Sequence, residues 1–281
     1  MNEDLRYILA LISIKGIGSI RARHLIEAFG SAKGVFEADA QMIANIPSIS
    51  QALLEGRKDN ALMDRIDHEL KFIESHHIKP LIYGAENYPK RLLECPDAPS
   101  LLFQLGNTDL ETNHIVSIVG TRNCTQYGRD MVHRFVSELK EAIPEVIIVS
   151  GLALGIDVES HKASLENLIP TVGVVAHGLD RIYPTPHRNI AKQMIMQGGS
   201  IVTEYLSGTT PERCNYLIFN NFSFLSTSFF CKIPSLFIIK IIGQFGHIKK
   251  SIVNFCKNFQ FFSLFSKNVP IWCPFTLPIS L

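Results

Sequence analysis

Between Ile115 and Thr203 the chain alternates strictly between short apolar runs and longer amphipathic stretches. Strands are expected over 115–119, 146–149, 171–176 and 200–203, and helices over about 128–142, 158–166 and 188–196. Three of the strand segments are continuous apolar runs (IVSIV, VIIV, VGVV). Unbroken apolar strands separated by helices form parallel sheets covered on both faces, because each crossover helix must return to the sheet. The expected fold class is therefore α/β, a Rossmann-like parallel sheet.

Upstream the period is helical. Leu5, Ile8, Leu9 and Leu11 share one face, Ile14-Lys15-Gly16-Ile17-Gly18 breaks the pattern, and Ile20, Ala22, Leu25, Ile26 and Phe29 resume it until Gly30-Ser31. Two helices joined by a glycine turn resemble a helix-hairpin-helix or SAM-like unit. Its glycines would either admit a nucleic-acid phosphate to the second helix's N-terminus or simply connect two helices. A weaker echo spans Ile43 to Leu54, with Pro47-Ser48 in place of the glycines. Asp59 to His76 reads as one more amphipathic helix, with Leu62, Ile66, Leu70 and Ile73 on a stripe. β-like runs at 81–83 and 101–105 surround a loop bearing Pro89, Pro96 and Pro99. The expected domains are 1–76, helical, and 80–217, Rossmann-like.

The rest of the chain is of another kind. Residues 218–281 hold no Asp, Glu, Arg or Ala, six of the 27 basic residues and 13 of the 18 Phe, so they carry +6 while residues 1–217 carry −5. That bias toward Phe, Ile, Asn, Lys and Ser is what an AT-rich coding region gives when read out of frame. A divergent genuine segment and a membrane anchor are the other readings. For the anchor, the apolar stretches 214–231 and 233–248 are diluted by Asn, Ser, Thr and Lys240 and fall short of a clean bilayer span. The expected sheet is thus incomplete at its C-terminal end. The start, MNEDLRYILAL, has acids where a secretory signal has bases, so a cytoplasmic protein with no membrane partner is expected.

Ligands of open α/β sheets bind beyond the carboxyl ends of strands, where strand order reverses. The exits here read Gly120-Thr121-Arg122-Asn123, Ser150-Gly151-Leu152-Ala153-Leu154-Gly155, His177 to Pro184, and Glu204 to Thr209. None is GxGxxG or a P-loop, so no dinucleotide cofactor is expected. Cys95, Cys124 and Cys214 lack metal-ligand spacing, so no metal is expected either. Arg122, Arg129, Arg181, Arg188 and Lys192 fall at exits or first helical turns. Converging, they favour a bound polyanion of limited extent; taken singly, each also fits a solvated helix end or a local ion pair. Ser150 lacks the GxSxG elbow of a nucleophile, Asp157 reads as the N-cap of its helix, His161 as a helix-face residue near the crevice, and Glu204 as a base or a structural hydrogen-bonding group.

Val119-Gly120-Thr121-Arg122 with Tyr127-Gly128, Ser150-Gly151-Leu152-Ala153 to Gly155-Ile156-Asp157 and His161, Gly178-Leu179-Asp180-Arg181-Ile182-Tyr183-Pro184, and Thr203-Glu204-Tyr205 with Gly208-Thr209 together resemble the DNA-processing protein A family (DprA, also called Smf). The resemblance covers residues 1 to about 217. It implies a non-enzymatic protein that binds single-stranded DNA and loads RecA onto it in recombination and natural transformation, as a homodimer. Arg122 would be the main phosphate contact, with Gly120 and Gly151 letting backbone approach and Arg188 a second cation. Thr121, Arg181 and Lys192 complete the candidate set. Leu154 stands where many members have a cation, and the chain departs from the family after Tyr216, where dimerisation and RecA contact are expected. The rival readings are a nucleotide-processing hydrolase of the related Rossmann superfamily, whose PGGxGT loop is missing because Gly198-Gly199 precedes a strand, and an inactive truncated gene product.

Overall fold

The structure, a computed structural model, describes residues 3–46, 50–212, 229–233 and 237–242. Six helices come first: α1 (Glu3–Ser13), α2 (Ser19–Phe29), α3 (Ala32–Glu37), α4 (Ala40–Ala44), α5 (Ser50–Gly56) and α6 (Asn60–Ser75). Gly30 ends α2 in the left-handed region, at φ 80°, and the Ser31 side chain accepts from the Gly34 N–H to start α3. The short α3 hides in the sequence behind that stop signal. Arms α4 and α5 of the weaker echo are helical, while its Pro47-Ser48 turn lies outside the described residues, as does Cys214. At the glycine turn Arg21 donates to the Gly16 carbonyl (2.6 Å), and Ser100 Oγ donates to the Ser19 carbonyl (2.6 Å).

Strands β1 (Lys79–Ile82), β2 (Leu101–Gly106), β3 (Ile115–Gly120), β4 (Ile147–Gly151), β5 (Thr171–Val174) and β6 (Ser200–Thr203) follow, interleaved with α7 (Lys90–Leu93), α8 (Gln126–Ala142), α9 (Ile156–Glu166) and α10 (Arg188–Met196). Strands β3 to β6 are parallel neighbours in chain order, and β2 and then β1 extend the β6 side in antiparallel fashion.

This order corrects two expectations. With β3 to β6 running in one direction, right-handed crossovers put α8, α9 and α10 on the same face. That face buries Val116, Ile118 and Ile148 against Met131, Val132, Phe135 and Ile156, and Ile201 against Met194. The other face carries Ile115, Ile147, Val149, Val172 and Val202, and is covered by Tyr88, Leu92 and Leu110 of the β1–β3 connections instead of by crossover helices. No order reversal occurs among the four parallel strands, so the site cannot sit at one.

The second correction concerns the open end of the sheet. β7 (Phe229–Ile233) and β8 (Phe237–Ile242) form a hairpin, and β8 pairs antiparallel with β3 from Ile115↔Ile242 to Gly120↔Phe237. The β3 edge would otherwise leave a row of backbone groups unpaired, and FIIKII is a sequence rich in β-formers. The remainder of 218–281, and with it most of the apolar stretches 214–231 and 233–248, lies outside the described residues. Among the described residues no helix is long and apolar enough to cross a membrane, and no cluster of side chains could hold a metal.

Helices α1 and α6 pack on β2, where Leu5, Ile8, Leu9, Ile66, Leu70 and Ile73 surround Leu101 and Phe103. Arg6 donates to both carboxylate oxygens of Asp67, at 2.6 and 2.9 Å, tying these two helices to each other.

Candidate nucleic-acid interface

The exits of β3 and β4 and the first turns of α8 and α9 enclose an open cleft of about 560 Å³. Arg122, Asn123 and Cys124 line it from the β3 exit, Arg129 from α8, Leu154 and Gly155 from the β4 exit, Val158, Glu159 and Lys162 from α9, and His187 from the turn before α10. Positions 155, 158, 159 and 162 are the i, i+3, i+4, i+7 stripe of one helix face, so α9 turns that face to the cleft.

The cleft floor is built by missing side chains. Gly155 has φ +86°, and a Cβ there would strike the Thr121 carbonyl and lie 2.6 Å from that of Arg122. This close approach lets Ile156 N–H donate to the Thr121 carbonyl (3.1 Å), fastening the start of α9 to the β3 exit. A Cβ on Gly120 would lie 2.6 Å from Ile156, and one on Gly151 2.5 Å from Asp157 Oδ2. Both glycines therefore make room for α9.

Asp157 is not the N-cap; Gly155 is, with no side-chain cap. The Asp157 carboxyl is spent on a tertiary contact, accepting the Gly120 N–H at 3.3 Å. Burial pushes its pKa up to about 7, against the Gly120 N–H and the Arg122 charge, which lower it. The folded protein thus holds this proton more tightly than the unfolded chain, whose Asp titrates near 4. Stability is highest below about pH 4 as far as this group is concerned and is lost as pH rises to about 7. Asp157→Asn keeps an acceptor and removes the charge, so urea unfolding at pH 8 should show it more stable than the parent by about 1–3 kcal/mol. At pH 5 the gap should shrink.

Three cations line the cleft against one carboxylate. Arg122 is exposed. Arg129 donates to Gln126 Oε1 (3.2 Å) and to the carbonyl and sulfur of Cys124 (3.1 and 3.4 Å), all neutral partners that leave its charge uncompensated. Lys162 donates to Glu159 Oε1 (2.8 Å). Burial would raise the Glu159 pKa, but Lys162 and His133, whose Nε2 stands 3.3 Å from Glu159 Oε2, hold it below its ordinary value.

Of the sequence candidates, Arg122 and Arg129 meet in this lining, whereas Arg181, Arg188 and Lys192 lie outside it. Arg181 follows the β5 exit and donates to Asp180 Oδ2 through Nε (3.0 Å) and Nη2 (2.8 Å). Arg188 and Lys192 are exposed on α10, next to His187, whose ring donates from Nδ1 to the Leu152 carbonyl (2.7 Å). Lys162 and His187 were not among the candidates; the α9 stripe that contains Gly155 was the available signal for Lys162.

The residues that invited an enzymatic reading are structural in their contacts. Ser150 Oγ is buried and donates to the Ile118 carbonyl (2.7 Å). His161 is fully buried: Nε2 donates to the Gly151 carbonyl (2.8 Å), Nδ1 accepts from the Thr171 hydroxyl (2.7 Å), and burial pushes the pKa down to about 4. Glu204 is raised to about 7 by burial and stands near Asp97 and Tyr205, outside the cleft lining.

Comparison with known proteins bears on the family and the fold. Residues 79–225 match the family model of the DNA recombination-mediator protein A. A protein named Smf from Synechocystis is 30% identical over 227 residues, covering 76% of this chain and 54% of that protein. The DNA processing protein DprA of Streptococcus pneumoniae is 37% identical over 129 residues, covering 46% of this chain and 44% of that protein. The chain thus spans about half the length of these curated relatives. The X-ray structure of DNA processing protein A from Streptococcus pneumoniae superposes with a TM-score of 0.62 at 25% identity, over 77% of this chain and 73% of that one.

Proposed function

The chain belongs to the DNA recombination-mediator protein A family, and on that premise we propose that it binds single-stranded DNA along the carboxyl edge of its parallel sheet. Arg122, Arg129 and Lys162 hold successive phosphates in the cleft. The observation that carries this reading is the meeting of these three cations, from a loop and two helices, in one open cleft of a body that is acidic overall. Local positive charge in an acidic body draws in a polyanion without coating the whole surface. Adjacent strands are about 4.8 Å apart, so the β5 exit stands about 10 Å along the edge from the β3 exit, and the loop beyond it, with Arg181, continues the track in this reading. Arg188 and Lys192 flank that track. Thr121, Gly120 and Gly151 shape it from below through the α9 docking.

Recognition is of backbone, and duplex binds less well because a single cleft cannot follow two strands. A place in natural transformation belongs to the same proposal, whereas RecA loading and a homodimer, expected of the intact family, fall on the segment after Tyr216 where this chain departs from it and are not part of the proposal. Chemistry on the DNA does not, since Ser150 and His161 are spent on buried contacts and Glu204 stands outside the cleft. Titrating the protein with labelled single-stranded and duplex oligonucleotides, alongside a nucleotide-hydrolysis assay, tests the reading. Single-strand binding without turnover supports it. Hydrolysis abolished by Glu204→Gln, with no oligonucleotide binding, overturns it in favour of the hydrolase.

A further inference from the structure

A carboxylate 5% exposed on α6 faces away from its own helical layer and grips a loop of the sheet. Glu69 accepts from the Ser207 N–H at 3.0 Å and from the Ser207 hydroxyl. One turn earlier, Arg65 donates to the Ser207 carbonyl (3.2 Å). Two side chains of one helix thereby hold the N–H, hydroxyl and carbonyl of a single residue. The grip passes on without a gap. Gly208 N–H, next in the chain, donates to Asp180 Oδ1 (2.8 Å), while Asp180 Oδ2 takes Nε and Nη2 of Arg181. A second tie, Gly178 N–H to the Thr209 carbonyl (3.1 Å), locks the same two loops together. From the other side, His177 holds the 177–184 loop by donating from Nδ1 to the Gly178 carbonyl (2.8 Å) and accepting the Tyr183 N–H at Nε2 (3.2 Å).

We propose that Glu69 is a positioning residue for the DNA track: by clasping Ser207 it sets the 204–209 loop, which through Gly208 and Asp180 aims Arg181 at the strand. The proposal rests on the single-strand reading above and deepens it, since it makes the helical layer a part of the binding surface without touching DNA. A fixed pair of loops presents Arg181 in one orientation, so its phosphate bond need not pay for ordering a mobile arginine. The carboxylate is needed because a partly buried N–H and a hydroxyl point at one place, and a charged acceptor bonds both strongly.

The test compares Glu69→Leu, Glu69→Gln, Arg181→Ala and the double variant Glu69→Leu/Arg181→Ala in the full chain, with a labelled single-stranded oligonucleotide as probe. Glu69→Leu should lower affinity about fivefold and reduce the salt slope by about 0.7, the loss of one phosphate contact from a single strand. Arg181→Ala should do the same, the double variant should add nothing further, and Glu69→Gln, which still accepts one bond, should recover part of the affinity. Hydrogen exchange without DNA should show faster exchange of the Ser207 and Gly208 amides in Glu69→Leu. Additive losses in the double variant, or a lower melting temperature with affinity and slope unchanged, overturn the proposal. If the unaltered chain binds no single strand, it is the functional reading that has failed, and unchanged protection of Ser207 and Gly208 would then dispose of the clasp separately.

Discussion

Arg122→Ala should weaken binding of a single-stranded oligonucleotide about 10- to 100-fold, with the fold unaffected. Arg122 is exposed at the β3 exit and lines the cleft, so its guanidinium is available to a phosphate. A charge-assisted hydrogen bond contributes about 1.5–3 kcal/mol, and each 1.4 kcal/mol is a factor of ten. In the free protein its charge favours the charged form of buried Asp157. Removing Arg122 should therefore cost little stability, within about 0.5 kcal/mol of the parent, as for surface substitutions in general. Fluorescence anisotropy with a labelled oligonucleotide and a parallel thermal melt separate the two effects. Unchanged affinity with an unchanged melt would remove Arg122 from the site.

Gly155→Ala should be among the most damaging single substitutions in the chain, costing about 3 kcal/mol or more of unfolding free energy. Its φ of +86° with ψ of −133° belongs to backbone that side chains rarely adopt, a strain of about 1–3 kcal/mol. The added methyl would also meet the Thr121 and Arg122 carbonyls, where backbone must move and the Ile156 bond to Thr121 must break. Gly198→Ala is the matched control, since Gly198 has a similar φ of +82° but open space around it, and should cost about 1–2 kcal/mol. Urea denaturation of both variants measures the difference. Equal losses would mean that strain, not the approach of α9 to the β3 exit, is the reason for glycine at 155.

How much of this was legible in the sequence depended on whether the deciding interaction was local. Helix α10 and strand β6 match their expected spans because apolar periodicity and the Gly198-Gly199 break decide both. Helix α9 begins two residues before its expected start, since an Asp at a helix head looks like a cap, whereas Asp157 answers to Gly120, 37 residues away. The order of the sheet was not legible: apolar runs say that strands are buried, not which strand lies beside which. The same holds for the pairing of β8 with β3, across more than a hundred residues.

The cations divide in the same way. Arg122 and Arg129 sit at the expected exit and first turn, and both reach the cleft. Arg181 takes the local ion pair that its position also allowed: the neighbouring Asp180 binds it, and Asp180 is itself held by Gly208. Lys162 lies two turns into α9, where only the helical stripe brings it back to the mouth. His187 reaches the cleft through a bond to the carbonyl of Leu152, a partner 35 residues distant that no spacing rule reveals.

Single-strand affinity measured across a range of salt concentrations bears most directly on the proposed site. Four phosphate contacts, by Arg122, Arg129, Lys162 and Arg181, give a plot of log affinity against log salt with a slope of about −2.8, and Arg122→Ala should bring it to about −2.1. A slope near zero, with mononucleotides bound as tightly as oligonucleotides, would contradict a phosphate-holding cleft.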